Sequence, residues 1–186
     1  MRMVRPRRLR PEGMQRDYTK TNAETAMAKE DYVKFISEVR KASGIEALTP
    51  DESGLVSVRV DDKYNVNLQF VETTGDVLCF IEVMALPPDT PKAVYRDLLA
   101  GGLFGKDTAG GYFSLEPETE TVVFNYLFDL ANAANDVEDF IRSLEKILQL
   151  CDVWFERIRE NMAADGCGEN AAASGEPPMG HTIFRA

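Results

Sequence analysis

Histidine and cysteine are scarce in this chain of 186 residues, and their placement argues against most kinds of chemical site. The single histidine, His181, lies in a stretch rich in glycine, alanine and proline that offers no partner to orient its ring. The three cysteines, Cys79, Cys151 and Cys167, are far apart and form no C-x-x-C motif, so they match no metal-ligand spacing. We therefore predict no catalytic residues, no cofactor, no metal site, and a protein that is not an enzyme.

A long apolar run is also missing. No stretch approaches the roughly 18 residues that a membrane helix needs. Residues 1–16 are rich in arginine but lack the apolar centre of a signal peptide. Scattered cysteines, odd in number, fit a reducing compartment. We predict a cytoplasmic protein without membrane insertion, in which Cys79 and Cys151 are small core residues.

The glycine-rich stretch 101–107 resembles a phosphate-binding loop only superficially. Asp107 stands where such a loop needs serine or threonine, and no glycine lies five positions before Gly105. The stretch also leaves a predicted helix and enters a strand, which is the reverse of the order that aims amide groups at phosphate. The acidic groups at 61–62 and 116–120 are interpreted as solvated turn residues. These features argue against nucleotide binding and catalysis.

Charge is spread unevenly along the chain. Overall, 21 basic and 31 acidic residues give a net charge of −10. Residues 1–20 hold seven basic and two acidic groups, which is +5, so the remaining 166 residues carry −15. A body that acidic repels phosphate backbones, and we predict that it has no nucleic-acid partner. The basic head alone has the charge to contact RNA or anionic lipid, but it is interpreted as a solvated leader.

Composition divides the chain into three parts. Residues 1–26 are polar and aperiodic, and we predict a disordered basic leader. Residues 163–186 are rich in glycine, alanine, serine and proline, and we predict a disordered tail. Between them, residues 27–162 are predicted to form one folded domain, since apolar residues recur there with regular periods.

The periods within 27–162 predict an α+β fold. A helix with apolar steps of three and four begins near Lys29 and ends at Gly44. Alternating residues predict strands at 55–60, 66–71 and 77–84, then at 112–115 and 121–127, and the run 77–84 is apolar on both faces, which places it centrally in the sheet. A short helix follows Pro91, and a long amphipathic helix runs from Val137 past Ile158. The predicted fold is a twisted antiparallel sheet of about five strands with helices packed on it, in the order α-β-β-β-α-β-β-α.

The short middle helix is apolar around an unusually wide arc. It carries two adjacent stripes and is followed at once by further apolar residues. A helix that lies on its own sheet buries one stripe, so the second stripe favours a two-fold dimer. Full burial of this helix within one subunit is the alternative. The predicted dimer interface consists of Val94, Tyr95, Leu98, Leu99, Leu103 and Phe104.

The first helix and the first two strands supply more apolar residues than a single stripe needs. A strand edge beside apolar pockets can bind an extended peptide through main-chain hydrogen bonds and alternate side chains. For each residue taken singly, a place in the core is the alternative. The residues predicted to bind a partner peptide are Tyr32, Phe35, Ile36, Val39, Val56, Val58, Leu68 and Phe70.

An ordered series of short motifs between about residues 30 and 160 resembles the Tir chaperone (CesT-like) family, the class I type III secretion chaperones. The departure is Gly101-Gly102, where the family pattern has an asparagine before the Leu-Phe turn. The motifs that carry the resemblance are Tyr32-x-x-Phe35-Ile36, Gly44-Ile45-x-x-Leu48-x-x-Asp51-x-x-Gly54, Val66-Asn67-Leu68, Leu86-Pro87, Tyr95-x-x-Leu98-Leu99, Leu103-Phe104, Gly110-Gly111-Tyr112-Phe113-Ser114-Leu115 and Trp154.

This resemblance implies an acidic cytoplasmic homodimer whose middle helix forms the dimer interface. It also implies that apolar surface patches bind the N-terminal segment of a secreted effector. The effector would remain extended, soluble and competent for export until the secretion ATPase removes it. No cofactor and no reaction are implied.

Three other functions are the alternatives to a secretion chaperone. The same fold also suits an interaction or regulatory module that has no exported client. A coiled-coil adaptor would use the heptad-like last helix, although its apolar stripe is wider than a coiled-coil seam. An enzyme would need convergent polar groups, which the sequence does not offer.

Overall fold

Helices and strands follow one another in the predicted order along residues 22–164, the part of the chain that this computed structural model describes. An additional short helix, α3, lies directly before the last one, and one 3-10 turn (Leu103–Gly105) follows α2. The helices are α1 (Asn22–Ser43), α2 (Lys92–Gly101), α3 (Leu130–Asn135) and α4 (Val137–Ala164). The strands are β1 (Val56–Val60), β2 (Tyr64–Val71), β3 (Asp76–Ala85), β4 (Tyr112–Glu116) and β5 (Thr121–Asp129).

The first and last helices extend beyond the predicted limits of the domain. Helix α1 begins at Asn22, inside the segment predicted to be a disordered leader, and ends at Ser43. The next residue, Gly44, has a φ of 71°, which is typical of the residue after a helix C-terminus. Helix α4 continues to Ala164, two residues past the predicted limit of 162. The rest of the predicted leader and tail, residues 1–21 and 165–186, lies outside the described residues.

The strands form one antiparallel sheet in the order β1-β2-β3-β5-β4. Strand β3 is therefore central, which confirms the placement predicted from its apolar residues on both faces. One row of the sheet pairs Val56 with Leu68, Leu68 with Cys79, and Cys79 with Tyr126. Side chains in this row point to the same side of the sheet, because facing residues in paired strands share a face.

The helices cover one face of the sheet, which we call the inner face. Aromatic contacts tie the two layers together: the rings of Phe35 and Phe140 lie 4.9 Å apart, and those of Phe128 and Phe140 lie 4.8 Å apart. The Tyr32 hydroxyl donates a hydrogen bond of 2.9 Å to the Leu68 carbonyl, so that α1 is fixed on β2. The main core accordingly lies between the inner face and helices α1, α2 and α4.

A second, smaller apolar cluster lies on the opposite face of the sheet. In β3 the side chains of Val77, Cys79 and Ile81 belong to the main core, while Leu78 and Phe80 alternate with them and point away from the helices. We call this face the outer face. The outer-face cluster consists of Leu55, Leu78, Phe80 and Val123.

Candidate binding surfaces

The residues predicted to bind a partner peptide lie in the core. Seven of the eight are buried, and Val58 is half-buried against the same core. The ring of Tyr32 stacks on that of Phe70 at 5.7 Å, which uses two of these side chains in a contact within the subunit. The apolar stripe of α1 faces its own sheet, so these side chains are not exposed in this conformation, and their role in binding a partner stays a prediction. The buried residues are Tyr32, Phe35, Ile36, Val39, Val56, Leu68 and Phe70.

The six residues predicted at the dimer interface divide into two groups. Val94 and Leu98 are buried in the subunit's own core, and Tyr95 is half-buried against it. The other three are exposed, with relative accessibilities of 78% for Leu99, 61% for Leu103 and 96% for Phe104. We call these three residues the α2 patch. One stripe of α2 therefore packs within the subunit, and the second stripe is left on the surface.

The backbone of the α2 patch is held in an unusual conformation. Phe104 has a φ of 59°, in the left-handed region that a bulky side chain rarely adopts. The following loop folds back tightly, since the Gly110 amide donates to the Gly105 carbonyl at 3.2 Å. The buried Thr108 hydroxyl donates to the Gly111 carbonyl at 2.7 Å. These bonds fix the loop that directly follows the exposed Phe104 ring.

Polar contacts hold α2 against α4. The Arg157 guanidinium makes a two-point ion pair with the Asp97 carboxylate, and its position beside Asp97 raises the pKa of Arg157 further. The Asn161 amide donates to the same carboxylate at 2.9 Å. Arg157 also lies over the Trp154 ring at 4.4 Å, and the Trp154 Nε1–H donates to the Asp107 carbonyl at 2.9 Å. The α2 patch is thus presented on a rigid support.

Replacement of Asp97 by alanine is expected to lower the free energy of unfolding by about 1–3 kcal/mol. The change leaves Arg157 and Asn161 without their shared acceptor at a partly buried site. Asp139→Ala is the matched control, because its partner Arg142 and Asp139 itself are both well exposed. That control is expected to change stability by no more than about 0.5 kcal/mol, measured by chemical denaturation. Equal losses in the two variants would contradict the anchoring role of Asp97.

Reactive groups are buried or solvated within the described part of the chain. Burial raises the pKa of the Cys79 thiol, and burial also raises that of the Cys151 thiol to about 12, so both remain protonated and unreactive. Asp61 and Asp62 lie exposed in the turn between β1 and β2, each with a φ of 53°. No group of residues between 22 and 164 has the composition and geometry to hold a metal ion. None of the helices in that range is long and apolar enough to cross a membrane.

The edges of the sheet offer a further surface. Strands β1 and β4 each pair with one neighbour among the described strands, so one side of each backbone is unpaired there. On β1 the side chains of Ser57 and Arg59 point to the outer face, and Ser57 donates a hydrogen bond to Asn67 at 2.7 Å. A free strand edge is the structural requirement for adding an extended peptide to a sheet.

Comparison with known proteins places these features in a family. Residues 34–154 match the Tir chaperone protein (CesT) family. A protein of Chlamydia pneumoniae is 24% identical over 128 residues, which span 67% of this chain and 94% of that protein.

Two solved structures share the fold. A chain of the HopA1–SchA chaperone–effector complex superposes with a TM-score of 0.55 at 16% identity, over 72% of this chain and 97% of that one. A chain of the ExsC–ExsE complex superposes with a TM-score of 0.56 at 18% identity, over 71% and 93% of the two chains. At such identities the likeness shows the fold alone. The family match extends from α1 to α4, and this chain belongs to the Tir chaperone protein (CesT) family.

Proposed function

We propose that this protein is a cytoplasmic type III secretion chaperone that binds the N-terminal segment of an effector in extended form. It keeps that effector soluble and competent for export. Membership of the Tir chaperone protein family supports the chaperone role. The observation that carries the extended binding mode is the free edge of β1, which pairs only with β2 among the described strands.

The β1 edge suits a segment that has no folded structure of its own. The main-chain amide and carbonyl groups of Val56–Val60 that point away from β2 can pair with any extended backbone, whatever its side chains. The half-buried Val58 and the exposed Val33 and Ile45 provide apolar surface on β1, on α1 and just after α1. A disordered segment can cover such dispersed surface, because it orders only as it binds.

We also propose that the chaperone is a homodimer joined through the α2 patch. The patch is apolar, exposed and rigid, and a two-fold axis through it would bring each Phe104 against the partner's copy of the same surface. This interface differs from the sequence-based prediction in one respect. Val94 and Leu98 are buried in the core of the subunit, so we place them behind the patch and not at the two-fold axis.

Two adjacent proline substitutions, Ser57→Pro and Val58→Pro, test the β1 edge. Neighbouring residues in a strand point their amides in opposite directions, so one substitution removes an amide bonded to β2 and the other removes an outward one. The variant that loses an amide bonded to β2 should have a destabilised fold, which shows as a lower melting temperature. The variant that loses the outward amide should keep its melting temperature nearly unchanged and should fail to co-purify an effector through its first ~50–100 residues.

The readout is co-purification from the native cell, with clients identified by mass spectrometry. Protection of the N-terminal segment of a client from protease supports the proposal. Unchanged recovery of the client by both proline variants would contradict binding at the β1 edge. Failure of the unmodified protein to retain any secreted protein would contradict the chaperone function itself.

A further inference from the structure

Arg59 is the only charged residue of β1, and neutral oxygen atoms hold its exposed guanidinium in place. One nitrogen donates to the side-chain oxygen of Asn65 at 3.2 Å, and another donates to the Asp62 carbonyl at 2.7 Å. The Asn65 amide nitrogen in turn donates to the Glu82 carboxylate at 3.0 Å, which turns the Asn65 oxygen towards Arg59. None of the ion pairs formed within residues 22–164 involves Arg59. A guanidinium has more N–H donors than these bonds use, so donors and an unpaired positive charge remain for a partner.

The main chain of β1 shows which residues face its free edge. Across the turn to β2, the Lys63 amide donates to the Val60 carbonyl at 3.0 Å, so the polar main-chain groups of Val60 face β2. These groups alternate in direction along an antiparallel strand, so those of Ser57 and Arg59 face the free edge. A strand added at this edge would therefore exchange its main-chain hydrogen bonds with Ser57 and Arg59.

On the basis of the partner binding at the β1 edge put forward above, we propose that this edge selects a segment with one acidic residue between two apolar residues. The residue opposite Arg59 has its side chain on the same face of the sheet, with the two Cβ atoms about 5 Å apart. Its two neighbours point to the inner face, where they meet Val58 and Val60, which are both half-buried against the core. The partner sequence that matches this edge is apolar–acidic–apolar.

The charge of the surroundings confines this preference to one position. Residues 22–164 carry −13, because the whole chain carries −10, residues 1–21 carry +5 and residues 165–186 carry −2. The body as a whole therefore repels an acidic residue of a partner, which is attracted only where a cation lies close to it. Opposite charges that face each other in paired strands stabilise the pair, and like charges destabilise it. Arg59 accordingly favours one register, in which the acidic residue of the segment lies opposite its guanidinium.

Selection from a displayed library of random peptides tests this preference. The library is selected on the immobilised full-length protein, on Arg59→Glu and on Lys146→Glu, and the retained peptides are sequenced. Lys146→Glu is the matched control, because it makes the same change from positive to negative charge at an exposed residue of α4. Apolar–acidic–apolar triplets should be about fivefold more frequent with the unmodified protein and Lys146→Glu than with Arg59→Glu, as one cross-strand charge pair predicts.

A double-mutant cycle with one selected peptide locates the contact. A peptide that carries the triplet, and its variant with lysine in place of the acidic residue, are titrated into the unmodified protein and into Arg59→Glu. Fluorescence anisotropy measures the four dissociation constants, and melting temperatures confirm that Arg59→Glu is folded. Lysine should weaken binding to the unmodified protein about fivefold and should strengthen binding to Arg59→Glu. Purely additive effects would show that the two side chains do not interact and would overturn the proposal.

Failure of the Arg59 preference can be told apart from failure of binding at the β1 edge. Peptides that are retained with equal triplet frequencies on all three proteins would overturn the role of Arg59 alone. Loss of the triplet on Lys146→Glu as well would do the same, because the preference would then come from the net charge of the protein. Retention of no peptide by any of the three proteins would overturn the binding of extended segments, and the preference with it.

Discussion

Gly101→Ala is expected to lower the free energy of unfolding by about 3 kcal/mol or more. A Cβ atom at this position would lie 2.2 Å from Cζ2 and 2.3 Å from Cη2 of Trp154, far inside van der Waals contact. The indole cannot easily move away. Its Nε1–H is bonded to Asp107, and its ring contacts Phe113 with ring centres 4.8 Å apart. The substitution must therefore separate α2 from α4, which also disturbs the support of the α2 patch.

Gly102→Ala is the matched control, because it makes the same chemical change one residue later. The nearest atom to its added Cβ is the Leu99 carbonyl oxygen at 3.6 Å, an ordinary contact. The backbone at Gly102, with φ −73° and ψ −11°, is one that alanine adopts without strain. The free energy of unfolding of the Gly102→Ala variant should stay the same or rise by about 0.4–1 kcal/mol, because alanine restricts the conformations of the unfolded chain. Chemical denaturation of the two variants measures the difference, and similar values for both would show that the Gly101–Trp154 contact is not restrictive.

The position of the strands could be predicted because burial imposes a period on the sequence. In β3 both faces of the strand meet apolar surroundings, and the sequence accordingly lacks polar alternation there. Gly44 marks the end of the first helix in the sequence, because a residue in the left-handed conformation after a helix is usually glycine. The period of a strand and the glycine after a helix are set by residues close together in the sequence, so they can be recognised without knowing the contacts between distant residues.

The identity of the partner surface could not be predicted in the same way. A stripe such as Tyr32, Phe35 and Ile36 shows that α1 is covered, but periodicity does not say whether its own sheet or another chain covers it. The structure shows that the sheet does. In α2 the two stripes have different environments, and Leu98 faces the core while Leu99 faces outward. The difference between the environments of Leu98 and Leu99 depends on where α4 packs, which the sequence does not state.

The short helix α3 was missed for a different reason. Asp129 accepts a hydrogen bond from the Asn132 amide at 2.8 Å, and Asp136 accepts one from the Asp139 amide at 2.8 Å. Each aspartate therefore caps a helix start, a pattern that the sequence contains. The apolar period of α4 is much stronger than that of the six residues of α3. The six residues of α3 are therefore interpreted from the sequence as part of the connection between β5 and the last helix.

The conformation of Phe104 is costly for an isolated subunit. A left-handed φ at a bulky residue costs about 1 kcal/mol, and a nearly fully exposed phenyl ring gains no burial in return. Lys106 closes the turn by donating its amide to the Leu103 carbonyl at 3.4 Å, so the loop holds the ring in this position. A second copy that covers the ring would compensate for both costs. The strain is consistent with an interface that forms between two chains.

Phe104→Asp is therefore expected to convert the proposed dimer into monomers without loss of stability. Aspartate tolerates a left-handed backbone better than phenylalanine does, so the subunit should fold at least as well. At the two-fold axis the change removes an apolar anchor from both chains and introduces two like charges, which should weaken association by at least about a hundredfold. Sedimentation equilibrium of the variant beside Val153→Asp, a change at an exposed residue of α4, measures this difference. A two-fold contact cannot retain its strength when its central side chain is lost from both chains at once. A dimer of unchanged affinity in Phe104→Asp, or dissociation in Val153→Asp alone, would therefore place the interface away from the α2 patch.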